Sequence, residues 1–184
     1  VDSGTGASMV SRTFDHPREN YLAVQDEVTS LTVANLRVAL PSATQARAEG
    51  VSESTNVDAY VLYQRGMAAL YRPMTRATIA EALEAFRGSL SQDMDYAAAY
   101  AGICLTYASG YRVVNDASYI EAAETACARA LDLNPNLDVV HNALGELYSE
   151  RGNYQAAERA FTQALETNQS SVSSLIGLGN VYAR

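Results

Sequence analysis

DVVHNALGELYSERGNYQAAERAFTQALETNQSS, residues 138–171, is the stretch from which the rest of the chain can be read. Counted from Asp138, it sets His141, Leu144-Gly145 and Tyr148, then Gly152, then Tyr154, Ala157, Phe161 and Ala164. Leu144 and Tyr148 are four apart and share one face of a helix. Tyr154, Ala157, Phe161 and Ala164 make an apolar stripe on a second helix. Gly145 and Ala157 are small, so two antiparallel helices can close on each other there. A hairpin of this kind cannot bury its apolar face alone and needs neighbouring copies.

Further copies lie on both sides. Val172 opens one in which Leu175, Leu178-Gly179 and Tyr182 repeat His141, Leu144-Gly145 and Tyr148. Only its first helix falls within the chain, so the array is expected to continue past Arg184. Upstream, Asn134-Pro135 closes a copy whose second helix runs from about Ser118 to Leu133, with Ile120, Ala123, Cys127, Ala130 and Leu131 inward. Its first helix spans about Tyr96 to Ser109, with Tyr100, Ile103, Cys104 and Tyr107 on one face, and residues 110–116 form an expanded connection. An earlier copy begins at Ala59-Tyr60, with Ile79, Ala82, Phe86 and Leu90 on its second helix and another expanded connection around Tyr71 to Arg76. Gln64 stands where a small residue is expected and Gly66 lies two positions off, so two registers half a turn apart are open for that helix.

A period of about 34 residues with these small and aromatic positions resembles the tetratricopeptide repeat. The resemblance implies an all-α chain, a right-handed superhelix of helical hairpins. The expected organisation is a β-hairpin remnant of an upstream α/β domain over 1–16 and a long helix with linker over 17–56. An array over 57–184 follows, divided at about 57–96, 97–137, 138–171 and 172–184. Ser3-Gly4-Thr5-Gly6 followed by residues 7–14 reads as a turn and a strand. Such a strand leaves backbone donors and acceptors unpaired, and residues 1–15 are a candidate for self-association. Helix 17–40 carries Val24, Val28, Leu31 and Val38 on one stripe and Leu22, Val33, Leu36 and Leu40 on the next.

The N-terminal third adds a second resemblance. Val1-Asp2, Thr5-Gly6, Ser11, Phe14-Asp15 and Ala23-Val24-Gln25-Asp26-Glu27-Val28 are similar to a junction in bacterial signalling proteins. There a TolB-like domain leads into repeats that begin Ala-Tyr-x-Leu-Tyr-x-Arg-Gly, matched by Ala59 to Gly66. Tails of this kind follow class III adenylate cyclases and membrane-anchored winged-helix regulators. Val10 stands where those relatives often carry Trp. The resemblance implies a place in a larger regulatory protein, either periplasmic behind a membrane anchor or cytoplasmic. No cyclase or winged-helix residues come with it.

The net charge is −8 and the pI about 4.7, with only 13 Lys and Arg and no basic run. Nucleic acid is a poor partner for such a chain, because phosphate neutralisation supplies most of that affinity. No apolar run reaches the roughly 18 residues that suggest a bilayer span. Cys104 and Cys127 fall on the two helices of one hairpin. They read as small buried side chains, the commoner fate of free cysteine, or as a disulfide, which would favour an oxidising compartment.

No catalytic set, metal site or cofactor is expected. His141 occupies a packing position, Glu146 and Glu150 are a routine pair one turn apart, and His16 and His141 lack partners at ligand spacing. Gly177-Leu178-Gly179 lacks the strand context of a phosphate loop. Most tyrosines, among them Tyr60, Tyr100, Tyr107, Tyr148, Tyr154 and Tyr182, fall at repeat core positions. The surface left for function is the concave face of the superhelix. Fixed steps along each first helix give Asp58, Val61 and Arg65; Ala98, Ala101, Leu105 and Ser109; Val139, Asn142, Glu146, Ser149 and Glu150; and Ser173, Ile176 and Asn180. Small apolar residues give way to polar and acidic ones, which suits a neutral or basic peptide or partner helix. The Lys and Asn arrangement with which chaperone-binding repeats hold a terminal carboxylate is missing. The expectation is a non-enzymatic protein- or peptide-binding module, with a spacer or dimerisation strut as the alternative.

Overall fold

The computed structural model describes residues 56–184. The strand expected over 1–16 and the helix and linker over 17–55 lie outside the described residues. Seven helices follow one another: α1 Val57–Leu70, α2 Arg76–Gln92, α3 Ala97–Val114, α4 Ser118–Leu133, α5 Asp138–Glu150, α6 Tyr154–Thr167 and α7 Val172–Tyr182. The described part is all-α, with α1–α2, α3–α4 and α5–α6 as antiparallel hairpins and α7 packed on α6.

The helix starts are written into the sequence. Asn56 caps α1 by accepting from the Asp58 and Ala59 amides, and Thr75 with Thr78 forms a reciprocal capping box at α2. Asn153 and Ser171 cap α6 and α7 through the Ala156 and Ser174 amides. Each such cap contributes about 1 kcal/mol by satisfying N–H groups that the helix leaves open. Gly152 turns the chain between α5 and α6 at φ +72, a conformation glycine adopts without steric cost.

Packing rests on small residues facing large ones. Ala59, Ala82, Ala99, Ala123, Ala130, Ala143, Ala157 and Ala164 are fully buried and let helix axes approach. Phe86 and Phe161 fill the space this leaves, and a Cβ on Gly66 or Gly145 would come within 2.5 Å of those rings. Tyr63 stacks at a tilt between Phe86 and Tyr96, with centroid distances of 5.8 and 5.4 Å. Buried polar groups are satisfied: Ser89 donates to the Ala59 carbonyl across the first hairpin at 2.7 Å, and Thr106 to the Gly102 carbonyl at 2.7 Å.

Several sequence expectations are corrected. Residues 110–114 continue α3 as helix, so the expanded connection adds helical length and the turn shrinks to Asn115–Ala117. Asn115 ends the helix in the left-handed region at φ 56. In α1 the register falls on Gly66, which meets Phe86, while Gln64 is exposed. Leu131, Tyr154 and Tyr182 are exposed at 36%, 37% and 67% rather than in the core. Tyr182 instead donates to Glu158 at 2.7 Å. Cys104 and Cys127 are bonded, with Cα atoms 5.2 Å apart, so the disulfide and not the free-thiol reading applies.

Candidate functional site

The first helices α1, α3, α5 and α7 share one face, and a groove runs along it. Two hollows of about 380 and 270 Å³ adjoin there, both bounded by Met67, Tyr71, Leu105, Asn142 and Ser173. Ala101, Val139 and Val172 line one end, and Leu70, Met74, Glu146, Ile176 and Asn180 the other. A third hollow beside the groove is lined by Arg112, Glu146, Ser149, Glu150 and Asn180. Of the residues expected from sequence, the structure brings Ala101, Leu105, Val139, Asn142, Glu146, Ile176 and Asn180 to the groove itself. Glu150 lies in the adjoining hollow. Arg65 is exposed and lines none of the three, and neither do Asp58, Val61 or Ala98.

The α1 contribution differs because its register differs. With Gly66 turned onto Phe86, the groove side of α1 is Gln64, Met67 and Leu70, followed by Tyr71 and Met74. Sequence reasoning missed these five. Gly66 as the small residue of the repeat is the signal that points to Met67, Leu70 and Tyr71; nothing in the spacing points to Gln64 or Met74.

The groove is apolar along α1 and α3 and polar along α5. Asn142 accepts a hydrogen bond from Ser174 at 3.1 Å, which holds its side chain between α5 and α7. Below it Asp138 accepts from the Asn168 amide at 2.7 Å. Tyr71 and Ile176 stand at the rim, 77% and 59% exposed.

The acidic end is partly compensated. Arg112, on the added helical turn of α3, sets its Nη2 3.2 Å from Glu146 and its Nε 3.2 Å from Glu150. Burial raises the Glu150 pKa above the usual carboxylate range; the Glu146 charge pushes the same way, and Arg112 and Arg184 oppose it. The arginine exists at this place because α3 runs past Gly110. His141 packs at 5% exposure with Nε2 2.7 Å from the Pro135 carbonyl, in keeping with a structural role. Among the described residues no three His, Cys, Asp or Glu converge as metal ligands, and no helix is long and apolar enough to cross a membrane.

Comparison with known proteins identifies the repeat. The tetratricopeptide repeat family model matches residues 139–171. The chain is similar to a thermophilic TPR protein of Thermus thermophilus, at 21% identity and a TM-score of 0.58, covering 91% of this chain and 82% of that one. It is also similar to the first TPR of Spaghetti (RPAP3), solved bound to the HSP90 peptide SRMEEVD. There the identity is 15% and the TM-score 0.52, over 71% of this chain and 97% of that one. The TPR domain of Arabidopsis OM64 aligns at 14% identity and a TM-score of 0.51, over 71% and 99%. No curated protein sequence matches the chain. Residues 139–171 are thus a tetratricopeptide repeat, and the described residues have the TPR superhelical fold.

Proposed function

We propose that residues 56–184 form a non-enzymatic peptide-binding module within a larger regulatory protein, and that the groove between α1, α3, α5 and α7 is its binding surface. The observation that carries this reading is a pair of adjoining hollows, one walled by Val139 and the other by Ile176, with Met67, Leu105 and Asn142 lining both. Apolar walls reward burial of aliphatic side chains at about 25 cal/mol per Å². The Asn142 amide supplies polar contact for a peptide backbone. Among the described residues Glu146 is the charged side chain on the hollow that holds Met67 and Ile176, and it favours a neutral or basic ligand.

An acidic peptide such as the SRMEEVD bound to RPAP3 is a poor fit. All thirteen cationic side chains of this chain are arginines and none is lysine. Neither groove hollow is lined by an arginine, and Arg112 in the hollow beside them is engaged by two carboxylates. The regulatory setting rests on the similarity of residues 1–28 and 59–66 to the tails of bacterial cyclases and winged-helix regulators.

Panning a random-peptide display library against the chain tests the module. Enriched peptides should carry aliphatic residues beside Arg or Lys. Their affinity should fall about tenfold or more, some 1.4 kcal/mol, on Ile176→Glu or Met67→Glu. Glu146→Lys with Glu150→Lys should weaken the basic peptides as well. If the charge reversal and both groove variants leave affinity unchanged, the groove assignment is wrong.

A strut or dimerisation role is the second reading. Sedimentation across a concentration series separates the two, since a strut that acts by self-association must form dimers without any peptide.

A further inference from the structure

The three hairpins are closed by different means. In α2, Phe86 fills the joint: a Cβ on Gly66 of its own hairpin, or on Gly102 of the next, would lie 2.5 Å from the ring. In α6, Phe161 does the same between Gly145 and Gly177, at 2.5 and 2.4 Å. Helix α4 has no aromatic residue at that place. Cys127 holds it, 1% exposed, and is bonded to Cys104 of α3, which is 0% exposed.

The correspondence is one of register. The residue of the following first helix that meets the joint comes sixteen positions later in each case: Phe86 to Gly102, Cys127 to Ala143, Phe161 to Gly177. Where the joint is filled by phenylalanine, that residue is glycine. Where it is filled by the disulfide, it is Ala143, fully buried, and Cys104 Sγ lies 3.9 Å from its carbonyl oxygen. A disulfide sulfur has no proton to donate, so this is a packing contact. A phenylalanine at 127 would have no room beside the Ala143 methyl group, because the equivalent glycines tolerate no Cβ.

We propose that the Cys104–Cys127 disulfide takes the place of the phenylalanine wedge, so that the middle hairpin is fully closed only in the oxidised chain. A dithiol reductant would deliver two electrons and two protons, leave two thiols on the protein and itself become a cyclic disulfide. Two thiol sulfurs must move apart from bonding distance to van der Waals distance, and they no longer tie α3 to α4. The joints at Phe86 and Phe161 are untouched by this change, so the loss falls on the centre of the array. Both sulfurs are buried, so the reductant reaches the bond only when the hairpin opens, and the native chain keeps it. Packing alone carries this role, whether or not the groove is a peptide site.

The test is to refold the full chain with a glutathione redox pair or with excess dithiothreitol and to compare thermal midpoints. The oxidised chain should melt about 10 °C higher than the reduced one. Cys104→Gly with Cys127→Phe and Ala143→Gly copies the flanking joints. That variant should melt well above Cys104→Ser with Cys127→Ser and be indifferent to dithiothreitol. Equal midpoints for oxidised and reduced wild type would overturn the proposal, as would a folded triple variant no more stable than the serine pair. Alkylation of both cysteines in the oxidatively refolded, then denatured, chain would also overturn it. Should the triple variant fail to fold, the wild-type comparison still decides.

Discussion

Gly145 and Phe161 show how single residues set this fold. The ring of Phe161 lies where a Gly145 side chain would start. Gly145→Ala is therefore expected to displace the ring and cost about 1–3 kcal/mol. Phe161→Ala, which empties a fully buried site, should cost about 3–5 kcal/mol. Urea denaturation of both variants checks the order. Both residues were legible in the sequence because the repeat spacing fixes which positions face inward. Tyr154 and Tyr182 were not, because exposure at a repeat position depends on what packs beside it. Glu150 gives a pH prediction. Its pKa is raised in the folded chain, so its contribution opposes folding. The penalty is absent below the ordinary carboxylate pKa, grows as pH rises through the interval up to the raised value, and is constant above it. Glu150→Gln should therefore raise the thermal midpoint at pH 7 and change it little at pH 3. Equal effects at both pH values would contradict this assignment.

At the scale of elements, α3 differs most from expectation. Residues 110–116 looked like an expanded loop because a standard repeat has no place for them. The helix continues because Tyr111, Arg112, Val113 and Val114 contain no breaker, and because Gly110 packs against Ile79 and Tyr119. Asn115 stops it, since asparagine enters the left-handed region more readily than other side chains. Asn115→Val should cost about 1–2 kcal/mol at this position, and Asn115→Gly should cost little or nothing. Differential scanning calorimetry of the pair reads this directly. The added turn also carries Arg112 to Glu146 and Glu150, a link that spacing alone could not reveal because it joins different hairpins. Register in α1 was ambiguous in sequence for a related reason. Gln64 and Gly66 compete for one place until Phe86 is known to need the glycine.

For the molecule as a whole, the repeat pattern made the hairpin order and the groove-forming helices legible. Of the expected residues α3 brings Ala101, Leu105 and Ser109 to the groove but not Ala98, α5 brings Val139, Asn142 and Glu146 with Glu150 in the adjoining hollow, and α7 brings Ser173, Ile176 and Asn180. Helix α1 replaced Arg65 with Gln64, Met67 and Leu70 and so made that end of the groove more apolar than the sequence had suggested. The central claim is that ligand binds along α1, α3, α5 and α7. Amide and methyl chemical-shift mapping with a library-selected peptide tests it most directly. The account predicts that the largest shifts fall on Met67, Leu105, Asn142 and Ile176. Shifts concentrated on the exposed faces of α2, α4 and α6, with those four residues unmoved, would contradict it.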